Sequence, residues 1–224
     1  MVKQIELPFN PKEPTIIHLD LNSCFASIEQ QANPKLRSKP VAVAAFDSPS
    51  GCIIAPSIEA KKLGIRVGMK VKDGKMVYRD LIVLTPDPNK YRTVNLALKK
   101  ILSDYTDKLT PASIDEFILD LEDCPALERG IFNIAREIKK RIRDEIGEYL
   151  TVSCGIAPNR FLAKTAASLH KPDGLDMIDK TNFRKIYSNL KLTDLCGIKV
   201  RNAIRLANFG IFTVSEFYPN IFAV

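Results

Sequence analysis

Apolar residues recur along this chain with two different spacings, and these spacings predict both strands and helices. Residues 15–21 (TIIHLDL), 112–122 (ASIDEFILDLE) and 149–156 (YLTVSCGI) form continuous or alternating apolar runs of the kind found in buried strands. Residues 89–106 and 128–148 carry apolar side chains every three or four positions, which indicates two helices that pack against a core. The pattern therefore predicts an α+β fold.

The order of the elements indicates which α+β fold is expected. With residues 23–86 set aside as an insertion, residues 15–170 read strand, helix, strand, strand, helix, strand, which is the ferredoxin-like βαββαβ order. A further helix, capped by Asn159, is expected over 160–170. Residues 180–224 predict a small, separate helical unit. The insertion contains predicted short strands at 41–46, 52–55 and 81–84 and short helices at 24–31 and 56–63.

Composition excludes several classes of protein. Of the 224 residues, 46% are hydrophobic, so the chain can bury a core and is not disordered. No stretch approaches the roughly 18 consecutive apolar residues of a membrane span, and the N-terminus lacks the apolar centre of a signal peptide. We therefore expect a soluble cytoplasmic protein with no membrane partner.

The charge is unevenly distributed. The net charge of +7 points weakly toward a polyanionic partner such as nucleic acid. From Thr151 onward, ten Lys and Arg residues accompany only five Asp and Glu residues, while the preceding part of the chain is nearly neutral. We expect any contact with a nucleic-acid backbone to use this last third.

The cysteines do not predict a structural metal site. They are widely spaced, form no CxxC pair and are accompanied by only two histidines. Their simplest interpretation is a set of reduced and mostly buried thiols. The five cysteines are Cys24, Cys52, Cys124, Cys154 and Cys196.

Three carboxylates interrupt the apolar strands and are candidates for chemistry. Asp20 lies within IIHLDL, and Asp115 and Glu116 lie within the alternating segment ASIDEFILDLE. A buried carboxylate is costly unless a partner compensates it, and Mg²⁺ is a hard cation that takes carboxylate oxygens. The first and third strands of a ferredoxin-like sheet are neighbours, so the three groups could hold two cations about 3.5–4 Å apart. A helix-capping Asp20 and an exposed turn at Asp115-Glu116 fit the same pattern.

Several segments resemble, in order, the motifs of the Y-family, or translesion, DNA polymerases. DLNSCFASIEQ (20–30) and SIDEFILDL (113–121) are similar to the paired metal-binding palm motifs, and EAKKLGIRVGM (59–69) is similar to the fingers segment. CGIAPNRFLAKTAASLHKPDG (154–174) resembles the second palm signature, and CGIKVRNAIRLANFGI (196–211) resembles the helix-hairpin-helix of the thumb. The resemblance extends over nearly all of 15–213 and is closest to the bacterial UV-mutagenesis branch.

The resemblance implies catalytic roles for individual residues. Asp20, Asp115 and Glu116 match the carboxylates that bind two Mg²⁺ ions, which Mn²⁺ can replace. Glu116 matches the one nearest the ion at the primer 3′-OH, and Ser113 precedes the pair as it does in the family. Leu21 matches the position whose backbone carbonyl binds the ion on the nucleotide side.

The resemblance also implies a nucleotide-binding set. Phe25 matches the steric gate, an aromatic ring under the sugar that rejects a ribose 2′-OH, while a ring packed in the core is the alternative for this position. Ser23 and Cys24 match a helix start whose backbone N–H groups meet the triphosphate. Lys171 matches a lysine that reaches the triphosphate, although Lys-Pro-Asp-Gly is also typical of a solvated turn.

Two segments depart from the usual family pattern. Ile58 and Lys61 stand where many members have a Tyr and an Arg that contact the triphosphate, so Lys61 keeps the charge without the two-pronged guanidinium. In the thumb, residues 197–199 read Gly-Ile-Lys where Gly-Ile-Gly is usual. We expect the residues of this hairpin to bind the DNA backbone through Gly197, Lys199 and Arg201.

The resemblance implies a palm at 1–22 and 87–178, fingers at 23–86 and a thumb at 179–224, without the little finger domain that usually follows. The implied function is template-directed extension of a DNA primer by low-fidelity translesion synthesis, with template-primer DNA, deoxynucleoside triphosphates and a sliding clamp as partners. A catalytically weak DNA-binding relic in a damage-response complex and a nucleotide cyclase are the alternatives. The implied location is the nucleoid within the bacterial cytoplasm, or the nucleus of a eukaryote.

Overall fold

The computed structural model of the chain describes residues 9, 10 and 12–218. The strands are β1 (Ile16–Leu21), β2 (Val41–Ala44), β3 (Ile53–Pro56), β4 (Ile82–Leu84), β5 (Leu109–Pro111), β6 (Glu116–Asp120), β7 (Val152–Ala157) and β8 (Leu175–Met177). The helices are α1 (Cys24–Ala32), α2 (Ile58–Lys62), α3 (Val71–Val77), α4 (Pro88–Ser103), α5 (Ile131–Arg141), α6 (Arg160–Ala166), α7 (Phe183–Asn189), α8 (Val200–Asn208) and α9 (Val214–Phe217). The outer ends of the predicted palm and thumb, at 1–8 and 219–224, lie outside the described residues.

The strands form two separate sheets. The larger sheet has the order β5-β6-β1-β7-β8, and its central strand β1 is antiparallel to both of its neighbours, β6 and β7. The elements β1, α4, β5, β6, α5 and β7 follow each other in the predicted βαββαβ order, and β8 adds a parallel strand beside β7. The predicted α+β class is confirmed, and the first and third strands of the motif are neighbours as expected.

Both faces of the larger sheet are buried, which explains why its strands are so rich in apolar residues. Leu19 and Phe117 point to one face, where they belong to the main core with residues of α4 and α5. Ile16 and Ile118 point to the opposite face and pack with α6 and the C-terminal helices. Because strand side chains alternate between faces, Asp20 and Glu116 lie on this second face.

A glycine allows helix α6 to approach the sheet closely on this second face. A Cβ atom on Gly155 of β7 would lie 2.0 Å from the backbone oxygen of Ala163 and 2.1 Å from the backbone nitrogen of Ala167. The Asn159 side chain begins α6, as predicted, by accepting a hydrogen bond of 2.9 Å from the Leu162 N–H. The helix is therefore fixed in position and height above the carboxylates.

The smaller sheet, β3-β2-β4, is built from the inserted segment together with α2 and α3. Strand β2 is antiparallel to β3 and parallel to β4, so the three short strands predicted in the insertion are present and form one sheet. Its core is small and combines three alanines with four larger apolar side chains, which are Ala42, Ala44, Ala60, Ile53, Ile65, Val71 and Leu81. Helix α3 was not predicted, because its sequence VKDGKMV has a glycine in the middle and little periodicity.

Other predicted elements need correction. The helix expected over 128–148 is interrupted, because Gly130 with a φ of +83° separates a short 3₁₀ turn from α5, and α5 continues into a π-helical turn at Ile142–Ile146. The strand expected over 112–122 begins only at Glu116. The second strand that the predicted order requires between the two helices is β5, which lies just before this segment, and β8 was not predicted. Among the described helices, none is long and apolar enough to cross a membrane.

The cysteines are less uniformly buried than expected. Cys24 and Cys154 are buried and Cys124 is partly buried, whereas Cys52 and Cys196 are exposed. All five thiols are free. The expectation of mostly buried thiols was therefore wrong for the two that lie in the smaller sheet and in the C-terminal helical unit.

Candidate active site

A cavity of about 620 Å³ opens between the larger sheet, the beginning of α1 and helix α2. Glu116 is adjacent in sequence to a residue of the wall but does not line the cavity. The predicted thumb residues lie elsewhere, exposed in the C-terminal helical unit. The predicted site residues that line the cavity are Asp20, Leu21, Ser23, Cys24, Phe25, Lys61, Asp115 and Lys171.

Strands β1 and β6 bring the three predicted carboxylates to one edge of the larger sheet. Asp20 and Glu116 are directly paired across the two antiparallel strands, and such neighbours have Cβ atoms about 4.5–5.5 Å apart. The Leu21 N–H donates a hydrogen bond of 2.9 Å to the Asp115 carbonyl, which continues the pairing by one step. The register of two buried strands thus fixes the backbone positions of all three residues.

Asp115 itself lies in a bend, whereas the sequence pattern placed it within a strand. The Ser113 hydroxyl organises this bend by donating a hydrogen bond of 2.6 Å to Asp115 Oδ1 and accepting one of 3.0 Å from the Glu116 N–H. Glu116 is the first residue of β6. Glu116 therefore lies in a strand, as the apolar pattern predicted, whereas Asp115 lies in a half-buried bend and not in the exposed turn of the alternative.

Two lysines compensate the negative charge of this edge. The Lys171 ammonium lies 2.5 Å from Asp20 Oδ2. The Lys164 ammonium donates to both carboxylate oxygens of Glu116, at 2.9 and 2.7 Å. Sequence reasoning missed Lys164, for which the available signal was a basic residue inside the otherwise apolar helical segment FLAKTAA. Because like charges opposite each other destabilise a sheet, these lysines help to hold Asp20 and Glu116 side by side.

The two carboxylates differ in their tendency to ionise. Burial raises the pKa of Asp20, and the nearby positive charge of Lys171 only partly offsets this effect. Burial also acts against ionisation of Glu116, but the hydrogen bonds and charge of Lys164 outweigh it and lower the pKa. Across the cavity, desolvation and the charge of Lys171 lower the pKa of Lys61.

A buried histidine lies behind the carboxylates. His18 is 1% exposed, and among the described residues its ring nitrogens have no hydrogen-bond partner. Its Nε2 atom lies 3.7 Å from Glu116 Oε2. Burial lowers the pKa of His18 to about 4 despite this carboxylate, so the ring is neutral near pH 7.

The site offers oxygen ligands of the kind that divalent cations of the Mg²⁺ class prefer. Within the part of the chain that the structure describes, no three Asp, Glu, His or Cys side chains form a ready-made metal cluster. Two of the three carboxylates are instead engaged by Lys171 and Lys164. Their backbone positions are nevertheless adjacent, and hard carboxylate oxygens suit Mg²⁺ or Mn²⁺ rather than zinc. The residues therefore fit a divalent cation that takes the place of the lysine ammonium groups.

The beginning of α1 forms another part of the wall. Ser23 precedes the helix with a left-handed φ of 52°, and its buried hydroxyl has no partner among the described residues. Burial raises the pKa of the Cys24 thiol, which is consistent with a packing residue and not with a nucleophile. Phe25 lines the cavity, and its ring also stacks on Tyr91. Both interpretations of Phe25, as a wall of the site and as a packed ring, are therefore compatible with its surroundings.

Helix α2 supplies the wall opposite the carboxylates. Its N-terminus is fixed by the Ser57 hydroxyl, which accepts a hydrogen bond of 3.2 Å from the Ala60 N–H. This helix of five residues presents Ile58 and Lys61 to the cavity, as the resemblance to the fingers segment implied. The smaller sheet and its helices thus contribute two lysines, Lys61 and Lys62, and a larger set of apolar lining residues, which are Ile54, Ala55, Pro56, Ile58 and Val67.

The predicted DNA-binding residues lie in the exposed turn before α8 and in the first turn of that helix. Gly197 has a φ of +84°, a left-handed conformation that favours glycine, and nothing lies within 4 Å of the position that its Cβ would take. The Asn202 side chain ties the turn to the helix by donating a hydrogen bond of 2.9 Å to the Gly197 carbonyl. Lys199 and Arg201 are exposed beside it.

Several known proteins are similar in sequence to most of this chain. The model of the impB/mucB/samB family matches residues 19–168. DNA polymerase IV 1 of Bacillus subtilis is 38% identical over 206 residues, which are 92% of this chain and 49% of that protein. DNA polymerase IV of Pseudomonas aeruginosa is 35% identical over 201 residues, which are 90% of this chain and 57% of that protein. The expected closeness to the UV-mutagenesis branch stays a prediction.

Solved structures match the same region of the fold. The insertion ternary complex of Dbh DNA polymerase has a TM-score of 0.80 and 31% identity, and the match covers 88% of this chain and 58% of that chain. A Y-family DNA polymerase chimera of Dbh and Dpo4 has a TM-score of 0.81 and 30% identity, with 90% and 59% covered. The chain spans about half the length of the curated relatives it matches. It belongs to the impB/mucB/samB family and has the fold of the Y-family DNA polymerase catalytic core.

Proposed function

We propose that this chain is the catalytic part of a DNA polymerase that extends a primer on a template and tolerates damaged bases. The observation that carries the proposal is the cross-strand pair of Asp20 and Glu116, with Asp115 beside it, at the edge of a cavity large enough for a nucleotide. Membership of the impB/mucB/samB family supports it. The relatives named DNA polymerase IV indicate the reaction class.

The proposed domains follow the observed sheets. The larger sheet with α4, α5 and α6 would be the palm at 1–22 and 87–178, and the smaller sheet would belong to the fingers at 23–86. The C-terminal helices would be the thumb at 179–224, with a helix-hairpin-helix that ends in α8. The exposed Lys199 and Arg201 support a contact with the phosphate backbone, which fixes the position of DNA without reading its sequence.

The proposed ion site consists of Asp20, Asp115, Glu116 and the Leu21 carbonyl, and it would take two Mg²⁺ or Mn²⁺ ions. When bound, such ions activate the attacking hydroxyl and stabilise charge on the transferred phosphoryl group. The chain's own contribution is to hold these oxygens on two adjacent buried strands, so that little reorganisation is needed when substrate arrives.

The remaining wall of the cavity would bind the nucleoside triphosphate. Lys171 would exchange its contact with Asp20 for one with the triphosphate, and Lys61 would add a second positive charge from the opposite wall. Ser23 and Cys24 line the same cavity, and their backbone N–H groups would meet the triphosphate. The ring of Phe25 would lie against the sugar and leave no room for a ribose 2′-OH. A sliding clamp is proposed as a partner on the family resemblance alone.

Primer extension tests the proposal most simply. We expect wild-type protein to extend a labelled primer with Mg²⁺, and we expect Asp115→Asn and Glu116→Gln to lower the rate by about 10²–10³-fold or more, as the loss of a charge-stabilising group does in other enzymes. Asp123→Asn is the matched control, because Asp123 is an acidic residue with an 88% exposed side chain just beyond the same strand. Undiminished extension by both variants would contradict the assignment.

A second candidate function is a DNA-binding protein without polymerase activity. The observation in its favour is that Lys171 and Lys164 already neutralise two of the three carboxylates. In this case the wild-type protein would bind template-primer DNA but incorporate no nucleotide with either Mg²⁺ or Mn²⁺. The same primer-extension assay, combined with a DNA-binding measurement, separates the two functions.

A further inference from the structure

We infer that Glu29 and Lys90 are positioning residues that fix the ring of Phe25 through Tyr91 and thereby strengthen the discrimination of the site against ribonucleotides. This inference rests on the proposed function, in which Phe25 is the steric gate. Of these residues, only Phe25 lines the cavity. The other three lie behind it, between α1 and α4.

The ring of Phe25 is supported by a second aromatic ring. The Phe25 and Tyr91 ring centroids are 4.4 Å apart, and the planes of the two rings differ by 14°, which is a stacked arrangement. Tyr91 is only 4% exposed, so its ring is held by the surrounding core. Phe25 can therefore not withdraw from the cavity on this side without displacing a buried tyrosine.

A buried carboxylate fixes the tyrosine in turn. The Tyr91 hydroxyl donates a hydrogen bond of 2.9 Å to Glu29 Oε1, and the Lys90 ammonium donates one of 2.6 Å to Glu29 Oε2. Glu29 is 7% exposed. A buried carboxylate is stable only when its oxygens have partners, so both hydrogen bonds are required to keep it in place. Burial also raises the pKa of Tyr91, which keeps the hydroxyl protonated and able to donate.

Helix geometry completes the connection. Glu29 lies four residues after Phe25 on α1, so the two side chains project from the same side of that helix. Lys90 and Tyr91 lie in the first turn of α4, where the Asp87 side chain caps the helix by accepting a hydrogen bond of 3.2 Å from the Lys90 N–H. The position of Phe25 is therefore tied to the beginning of a helix that belongs to the main core.

This arrangement has a consequence for sugar selectivity. A steric gate can reject a 2′-OH only if its ring stays in place. If the ring is displaced, the extra oxygen can be accommodated. An aromatic stack contributes enough free energy to correspond to about a two- to tenfold change in an equilibrium or rate ratio. Removing the support should lower selectivity by this amount and leave the incorporation of deoxynucleotides nearly unchanged.

The experiment measures kcat/KM for one deoxynucleotide and for the ribonucleotide with the same base, opposite the same template base. We expect the ratio of the two values to fall by about two- to tenfold in Tyr91→Leu. Glu29→Ala should lower it less, because the tyrosine ring remains. Glu29→Gln should lower it least, because the amide oxygen still accepts from the Tyr91 hydroxyl and only the hydrogen bond from the Lys90 ammonium is lost. A positioning role predicts a lower selectivity ratio with a nearly unchanged kcat/KM for the deoxynucleotide. A general loss of structure would instead lower kcat/KM for both nucleotides.

Tyr105 provides a matched control for the tyrosine hydroxyl. Like Tyr91 it is buried and donates a hydrogen bond of 2.9 Å to a glutamate, Glu137, but it lies beyond the opposite end of α4. Tyr91→Phe should lower the selectivity ratio slightly, while Tyr105→Phe should leave it unchanged. Equal effects of the two substitutions would overturn the inference, because they would indicate general destabilisation.

Phe25→Ala separates the inference from the proposed function. If Phe25→Ala loses selectivity while Tyr91→Leu and Glu29→Ala keep the wild-type ratio, the gate is correct and the positioning role is wrong. If Phe25→Ala itself keeps the wild-type ratio, Phe25 is not the gate, and both the assigned role and the inference built on it fail. Glu29→Ala and Tyr91→Phe keep the test decisive where Tyr91→Leu does not fold.

Discussion

The larger and the smaller sheet contribute to the same cavity in different ways. The larger sheet is buried on both faces and holds Asp20 and Glu116 in a fixed cross-strand register. The smaller sheet has a much smaller core and contributes Lys61 from a helix of only five residues. Groups that must be placed accurately for chemistry therefore lie on the larger sheet, and groups that only need to approach a substrate lie on the smaller unit.

Side-chain hydrogen bonds, and not a shared sheet, connect α2 of the smaller unit to the larger one. The Tyr149 hydroxyl donates a hydrogen bond of 3.0 Å to Glu59 of α2 and accepts one of 2.6 Å from the Ser38 N–H. Gln30 of α1 donates to the other Glu59 oxygen at 3.0 Å. Burial opposes ionisation of Glu59, but these hydrogen bonds outweigh it and lower its pKa. Three polar side chains thus fix the position of α2.

Substitution of Lys171 and Lys61 tests the contrast between the two sheets, and it has the larger expected effect of two predictions. Lys171→Ala should raise the KM for the incoming deoxynucleotide by about tenfold or more, since a hydrogen bond to a charged group contributes about 1.5–3 kcal/mol. Lys61→Ala should raise it by a smaller factor, because Lys61 is carried by the less firmly anchored helix. Steady-state kinetics with varied nucleotide concentration measure both, and Lys75→Ala is the control, because Lys75 is an exposed lysine of α3 that does not line the cavity. A larger effect at Lys61 than at Lys171 would reverse the proposed division of roles.

A smaller effect is expected when the connection itself is weakened. Tyr149→Phe removes the hydroxyl shared by Glu59 and Ser38, and we expect it to cost about 1 kcal/mol locally. Amide hydrogen exchange in α2 should then become faster, while exchange in β1 and β6 should not change. Faster exchange in both regions would show that the two sheets open together, and it would contradict a purely local role of the Tyr149 hydroxyl.

Sequence patterns predicted the larger sheet well and the details of the site only in part. β1, β6 and β7 are long enough for their apolar pattern to be recognised, and this placed Asp20 and Glu116 correctly. Strands β5 and β8 have three residues each, too few to show a period. Their place in the sheet is set by pairing with β6 and β7, respectively, and not by a pattern of their own.

The positioning residues were missed for a related physical reason. Lys164 reads as an exposed helical lysine, and only the close approach of α6 to β7 at Gly155 brings it to Glu116, 48 residues away in sequence. Tyr91 reads as an ordinary core residue of α4, and its contact with Phe25 depends on how α1 and α4 pack. Such pairings arise from tertiary structure and leave no local pattern.

The most direct test of the account is to locate the cation-binding site. Crystals of the protein with Mn²⁺, template-primer DNA and a non-hydrolysable deoxynucleotide would reveal the ions by anomalous scattering. The account predicts Mn²⁺ in contact with carboxylate oxygens of Asp20, Asp115 and Glu116, with the Lys171 ammonium withdrawn from Asp20 and bound to the triphosphate. Mn²⁺ bound elsewhere, with the pairs of Lys171 with Asp20 and Lys164 with Glu116 still intact, would contradict it.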